Sequence, residues 1–258
     1  LLVGGGLLLV FLWLIHSMGP DFWWQFWIVA VVFMVLVNVG YTAWILPLFN
    51  TLTPLAEGEL RDKLLQYAAK VNFPVKHIFV MDGSRRSAKA NAFFSGFGKQ
   101  KKVVLYDTLL EQHTPEELVA VLAHEIGHYK KKHLKWGMLV SVVEVGLLLF
   151  LLGQVVFSES MSLALGGTAL SVPLNIIGFT MLFAPLSMLM GIGMNALSRK
   201  HEFEADAYAK ETFGGKPLAE ALKTLSVKSL STLYPHSWYV FVNYSHPPLL
   251  ERLERLEH

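Results

Sequence analysis

Thr114-Pro115-Glu116-Glu117-Leu118-Val119-Ala120-Val121-Leu122-Ala123-His124-Glu125-Ile126-Gly127-His128 reads as one helix that carries chemistry. Threonine ahead of proline, with a glutamate three residues after the threonine, is a helix start: a side-chain cap, a residue preset for the first turn, and an acid at the positive end. Leu118, Val119, Val121 and Leu122 then form an apolar stripe. About three turns in, His124 and His128 fall four residues apart on one face, so both imidazoles can reach a single zinc ion. Glu125, beside the first, can take a proton from water on that ion. The plainer alternative is a pair of surface histidines on an amphipathic helix, and the ordered start and stripe count against it.

Outside this helix the composition is that of a membrane protein. The 258 residues are 53% hydrophobic and 16% charged, and the mean hydropathy is positive, which excludes an ordinary soluble domain. All 22 Lys and Arg lie in two blocks, Arg61 to Lys135 and Arg199 to Arg255. Residues 1–60 and 136–198 hold none and contain the long apolar runs, the pattern of a polytopic protein. Four spans are expected: Leu1–Ile15, Phe22–Phe49, Trp136–Phe157 and Leu174–Leu197. The first is short and starts at leucine. It lacks the basic region and cleavage site of a signal peptide, and reads as the remainder of a span. Trp23, Trp24, Trp27 and Trp44 lie near the ends of the second, as aromatic belts do.

Charge sets the expected topology. The loops His16–Asp21 and Ser158–Val172 carry no Lys or Arg and should face away from the cytoplasm, while both basic blocks should face it. The chain is therefore expected to be an integral membrane protein, of a bacterial inner membrane or of the endoplasmic reticulum, with its active site on the cytoplasmic side. The absence of cysteine fits a reducing compartment. A net charge of +2 gives no reason to expect nucleic acid, and the basic residues are accounted for by topology and anionic lipid.

Four segments follow. Residues 1–49 hold two spans, 50–135 a cytoplasmic block, 136–197 two further spans and 198–258 a second cytoplasmic block. In the first block Glu57–Lys70 reads as an amphipathic helix stopped by Pro74. His77–Met81, Ala90–Phe94 and Lys102–Tyr106, punctuated by Asp82-Gly83 and Gly96-Phe97-Gly98, read as a small antiparallel sheet containing a hairpin. The His124 helix should run nearly into the span at Trp136. In the second block Met194–Phe213 is helical and closed by Gly214-Gly215, Pro217 opens another helix, and Leu249–Leu256 is a last short one.

A catalytic zinc needs three protein ligands and an open position. A third histidine just downstream would require glycine at Lys131 and histidine at Leu134, so the third ligand comes from elsewhere. Glu202 and Asp206 stand four apart on one helix face; a carboxylate ligand plus a second carboxylate orienting a histidine would use this spacing. Two exposed acids on a solvated face is the competing reading. Glu204 lies about 200° around the helix from Glu202 and is a poor companion. His133, with Lys130-Lys131-Lys132, reads as a solvated face marking the cytoplasmic side. His77, His113 and His201 read as surface or structural histidines.

His124-Glu125-x-x-His128 followed by Ser198-Arg199-Lys200-His201-Glu202-Phe203-Glu204-Ala205-Asp206-Ala207-Tyr208-Ala209 resembles the type I CAAX prenyl proteases, integral-membrane zinc metallopeptidases. Asn91-Ala92-Phe93, Val103-Val104-Leu105-Tyr106-Asp107-Thr108-Leu109-Leu110 and Tyr244-Ser245-His246-Pro247-Pro248 are similar to that family as well. The resemblance implies a mainly α polytopic fold with a gluzincin-like cytoplasmic zinc-protease domain. It implies one zinc ion per chain on His124, His128 and Glu202, with Glu125 as general base and Asp206 holding the ring of His124. Asn91 and Ala92 would lie on an edge strand that pairs with an extended substrate. His246 would sit near the substrate carbonyl and Arg252 near its carboxylate end. The family has seven transmembrane helices against the four legible here, which reads as a bacterial or truncated member.

The expected function is a membrane-embedded zinc endopeptidase cutting near the C-terminus of hydrophobic or prenylated proteins. Its partners would be a peptide or protein substrate, lipidated or not, and the bilayer, with no nucleic acid. The site is expected at the membrane–cytoplasm boundary. Quality control of membrane proteins by the same chemistry is one alternative, and a scaffold that keeps a zinc site without turnover is another. An intact Glu125 argues against the scaffold, because a structural site needs four ligands and no base.

Overall fold

The computed structural model describes residues 2–85, 87, 90–95 and 101–258. Leu1, at the head of the first expected span, and the expected turn Gly96-Phe97-Gly98 lie outside the described residues. In chain order the structure begins with α1 (Leu2–Met18), α2 (Phe22–Gly40), α3 (Leu46–Phe49), β1 (Leu52–Pro54), α4 (Glu59–Lys70) and β2 (Val75–Met81). There follow β3 (Ala92–Ser95), β4 (Lys101–Tyr106), α5 (Asp107–Gln112), α6 (Pro115–Lys130) and α7 (His133–Val155). The chain ends with α8 (Glu159–Ala164), α9 (Val172–Thr212), α10 (Gly215–Lys228), α11 (Ser237–Asn243) and α12 (Leu249–Glu257). Two compact units divide these elements, residues 1–38 with 135–191, and residues 39–134 with 192–258.

Among the described residues, three stretches are long and apolar enough to cross a membrane, Val3–Gly40, His133–Val155 and Val172–Thr212. The first is not straight. A short 3-10 turn, Gly19–Asp21, separates α1 from α2. The rings of Phe11 and Phe26 are only 5.1 Å apart, where fifteen residues of unbroken helix would put them about 22 Å apart. Gly-Pro-Asp therefore reverses the chain, with Gly19 at φ 54°. In this first unit Leu14, Ile15, Phe22, Leu152 and Val156 form a buried cluster.

Two of the tryptophans expected in an aromatic belt pack inward instead. A Cβ on Gly146 would meet the Trp27 indole and one on Gly153 the Trp23 indole, and Trp27 Nε1 donates to the Val142 carbonyl at 2.9 Å. Trp24 and Trp44 are exposed, as belt residues would be. Asn175, fully buried, is satisfied on both sides of its amide: it donates to the carbonyls of Val156 and Ser158 and accepts from the Ser162 hydroxyl.

The second unit is built on a four-stranded sheet in the order β1-β2-β4-β3. The sheet is mixed, whereas the sequence suggested an antiparallel one: β1 and β2 are antiparallel, β3 and β4 form the antiparallel pair, and β2 and β4 run parallel. The central place of β4 follows from its composition. Val103, Val104 and Leu105 are all buried, with Val103 and Leu105 in the main core and Val104 facing Leu46 and Met81 on the other side. A strand apolar on both faces belongs in the middle of a sheet, and β4 lies there, with β2 parallel on one side and β3 antiparallel on the other. The strand β1 is not legible in the sequence, because three residues ending in proline show no alternation; an edge position tolerates Pro54.

The main core lies on the Val103–Leu105 side of the sheet. It joins Leu64 and Tyr67 of α4, Leu118, Leu122 and Ile126 of α6, Ala209 of α9, Leu218 of α10 and Leu256 of α12. The C-terminal helix is held closely. Arg255 stacks over the Phe203 ring at 3.6 Å, and Lys210 Nζ donates to the Arg255 carbonyl at 2.9 Å. Gly215, at the start of α10, has no room for a side chain because a Cβ there would collide with the Leu256 carbonyl. Gly215→Ala is expected to destabilise this unit by about 1–3 kcal/mol, read as a lowered thermal midpoint in detergent; an unchanged midpoint would mean that α12 is not seated as described.

Candidate metal centre

The helix α6 starts as its sequence dictates: Thr114 Oγ1 accepts from the Glu117 amide at 3.3 Å and Pro115 occupies the first turn. Its buried face carries Leu118, Val119, Leu122, Ala123 and Ile126 into the core, and this fixes the direction in which His124 and His128 point. The third donor comes from α9, some 80 residues away in the chain. Gly127 allows the two helices to meet: a Cβ there would lie 3.0 Å from the Ala205 Cα and 3.1 Å from its carbonyl oxygen. Across this contact Glu202 reaches the histidine pair.

The three donors converge. His124 Nε2 and His128 Nε2 are 3.2 Å apart, and Glu202 Oε2 is 3.5 Å from His124 Nε2 while Oε1 is 3.3 Å from His128 Nε2. Tetrahedral ligands at about 2.0–2.1 Å from a metal lie about 3.3 Å from one another, so the edges of this triangle fit one ion. His124, His128 and Glu202 are the group of metal-ligating side chains found among the described residues. The polarity of the ring also fits. His124 Nδ1 lies 2.9 Å from Asp206 Oδ1, so the nitrogen facing the carboxylate carries the hydrogen and Nε2 is left as a donor for a cation.

Asp206 is 1% exposed, and it is held as well as holding. Arg252 Nε donates to its Oδ2 at 2.8 Å and Nη2 to its Oδ1 at 2.7 Å. Arg252 itself is buried, and its Nη1 stands 3.5 Å from Glu202 Oε2. Arg252, expected at the substrate's carboxylate end, thus gives Nε and Nη2 to the carboxylate behind His124 and also lines the pocket at this centre. His246 is mostly exposed, with Nε2 3.5 Å from Glu202 Oε1 and Nδ1 3.1 Å from the Ser245 hydroxyl.

The electrostatics follow from burial and these partners. Burial alone would lower the pKa of His124, but the Asp206 and Glu202 carboxylates overrule it and push it up to about 9. The site is a field that wants positive charge. Burial raises the Glu125 carboxyl above the ordinary range, against the lowering influence of His124 and His128.

A pocket of about 240 Å³ opens onto this centre. His124, Glu125, His128 and Glu202 form its polar floor, and Leu218, Leu222 and Leu225 of α10 one apolar wall. Asn91 and Ala92 line it too. They lie at the start of β3, the last strand in the sheet order, where Asn91 Oδ1 accepts from the Ala92 amide at 2.9 Å.

Two residues beside the centre, His133 and Glu204, carry no signal of that place in the sequence. His133, read as part of a solvated lysine-rich face, is 7% exposed. Its Nδ1 is 2.9 Å from His128 Nδ1, its Nε2 is 2.9 Å from Glu204 Oε2, and His201 stacks on it at 3.9 Å. The chain does not continue as one helix from His128: α6 stops at Lys130 and Lys132 takes φ 62°. This break turns His133 back onto His128, and no helical periodicity could have shown it. His113 is buried against Glu117 at 2.7 Å, and His77 is exposed.

Known proteins resemble this chain over its whole length. Residues 54–258 match the profile described as Peptidase family M48, and residues 1–51 match that described as CAAX prenyl protease N-terminal, five membrane helices. A CAAX prenyl protease 1 homolog of Oryza sativa is 38% identical over 262 residues, 100% of this chain and 61% of the relative. The CAAX prenyl protease 1 of Saccharomyces cerevisiae is 36% identical over 99% of this chain and 60% of its own length. The crystal structure of S. mikatae Ste24p superposes with a TM-score of 0.90 at 35% identity, covering 99% of this chain and 63% of that one. The chain therefore spans about three-fifths of the length of these relatives. The profile match over residues 54–258 contains all three converging donors, and the chain belongs to peptidase family M48.

Proposed function

We propose that this chain is a membrane-embedded zinc endopeptidase that cleaves peptide bonds near the C-terminus of hydrophobic or prenylated proteins. The observation that carries the reading is the triangle of His124, His128 and Glu202 at tetrahedral edge lengths, with Glu125 beside it on the pocket floor. Two imidazoles and one carboxylate are the donor set of catalytic zinc, and three protein ligands leave a position for chemistry. Bound there, zinc would act as a Lewis acid that acidifies water and polarises a carbonyl oxygen.

The remaining steps belong to side chains. Glu125 takes the proton from the attacking water and delivers it to the departing amine. His246, at the pocket mouth, offers an imidazole N–H to the oxygen that gains charge. Loss of such a donor costs about 3 kcal/mol in the barrier. The edge strand at Asn91 and Ala92 can pair with an extended peptide, main chain to main chain. The apolar wall of Leu218, Leu222 and Leu225 suits an aliphatic side chain. The names of the relatives, CAAX prenyl protease 1, support the choice of a CAAX-type substrate. The Lys and Arg blocks that hold every ligand favour a cytoplasmic site.

Metal analysis of purified protein tests the division of labour. One zinc per chain is expected in the parent and in Glu125→Ala, and none in Glu202→Ala; Glu125→Ala should lose activity by at least 10²-fold, the lower range for a general base. Zinc kept in Glu202→Ala would overturn the ligand set. The raised pKa of His124 sets a pH dependence. Below about 9 a proton occupies the ring that the metal needs, so affinity should rise with pH from 6 to 9, at most tenfold per unit. Zinc titrated at neutral pH should release that proton, as calorimetry in buffers of different ionisation enthalpy would show; a flat affinity would contradict the electrostatics. For the substrate, a farnesylated C-terminal peptide is expected to be cut faster than its unprenylated counterpart. Equal rates would move the reading toward general membrane-protein turnover.

A further inference from the structure

The contacts of His133 run through two rings to a carboxylate. Glu204 Oε2 stands 2.9 Å from His133 Nε2. A carboxylate only accepts, so that nitrogen carries the hydrogen, and a neutral imidazole has one such hydrogen to give. His133 Nδ1 is therefore a bare acceptor. It faces His128 Nδ1 at 2.9 Å, which must then be the donor, leaving His128 Nε2 bare as well. That atom is the one at the apex shared with His124 and Glu202.

We propose that His133 and Glu204 are positioning residues which impose on His128 the tautomer and ring orientation a metal requires. The proposal rests on the metal reading above. The two ligand histidines are then served differently. His124 meets its carboxylate, Asp206, directly, whereas His128 meets Glu204 only through an intervening imidazole. The relay is mechanically constrained. The rings of His128 and His133 stand at 77°, and His201 lies flat against the other side of His133, 9° from parallel. Lys132, at φ 62°, holds His133 at the first position of α7. Glu204 also lies 3.8 Å from Lys200 Nζ. The helix α9 thus supplies the ligand Glu202, Asp206 behind one histidine and Glu204 behind the relay to the other.

Two substitutions separate this role from simple filling of space. Asparagine puts its carbonyl oxygen where His133 Nδ1 sits, so His133→Asn keeps the acceptor for His128 and gives up Glu204. Glutamine puts its amide nitrogen near the place of Nε2, so His133→Gln keeps the donor to Glu204 and offers His128 no acceptor at Nδ1. Zinc affinity of each full-length variant, measured by competition with a chelator, is the readout. His133→Asn should stay within a few-fold of the parent and His133→Gln should bind at least about tenfold more weakly, the lower end for loss of a ligand's hydrogen-bond partner. Equal affinities, or the reverse order, would overturn the positioning role. A parent that binds no zinc would overturn the metal reading and this inference with it, so the two failures are distinguishable.

Discussion

The centre depends on one close contact, the approach of α6 to α9 at Gly127 and Ala205. With a hypothetical Cβ only 3.0 Å from the Ala205 Cα, the two helix backbones are as near as they can be with glycine on one side. Every donor is arranged about that point. His124 and His128 lie three residues before and one after Gly127, and Glu202 and Asp206 lie three before and one after Ala205. The two pairs are therefore presented across the contact in matching positions, and a longer side chain at residue 127 would separate them by moving whole helices. Glycine inside a helix costs about 1 kcal/mol relative to alanine; here that cost is offset by a geometry that no other residue permits.

Behind the contact lies a buried ion pair whose value is not stability. Asp206 and Arg252 share two short hydrogen bonds out of water, and the desolvation of two such groups roughly cancels their attraction. What the pair achieves is position. A carboxylate facing only a histidine could rotate, but the guanidinium fork fixes both of its oxygens, so Oδ1 stays on His124 Nδ1. Arg252 comes from α12, the last helix of the chain, and α12 is seated against α10 where Gly215 leaves room for the Leu256 carbonyl. The orientation of a ligand on α6 is thus tied to packing at the C-terminus.

The legibility of the sequence followed from where local rules apply. His124 and His128 could be found because Thr114 and Pro115 start a helix whose period then places them, and Glu202 and Asp206 could be paired by the same period. The apolar run of β4 was legible as a strand, but its neighbours were not, because pairing order depends on burial of both faces and not on the turn chemistry between strands. The proline-terminated β1 has no pattern to read. His133 was hidden for a different reason. Helical spacing carried past Lys130 places it on the outside among lysines, and only the left-handed backbone of Lys132 reverses that. Trp23 and Trp27 likewise have the sequence position of belt residues, and it is Gly146 and Gly153 on another helix that draw them inward.

Charge balance explains why such a site should hold a divalent cation in particular. Glu125, Glu202 and Asp206 together contribute three negative charges when ionised, and Arg252 returns one, leaving two. In the absence of an ion the remedy is protonation: His124 is pushed up to about 9 and the Glu125 carboxyl is raised as well. A doubly charged ion held by His124, His128 and Glu202 would cancel the excess without those protons. It would thereby favour an ionised Glu125, the form that the proposed proton transfer from water needs. The arrangement that would attract the ion is also the one that would ready the proposed base, and both follow from placing Glu125, Glu202, Asp206 and Arg252 around the imidazoles of His124 and His128.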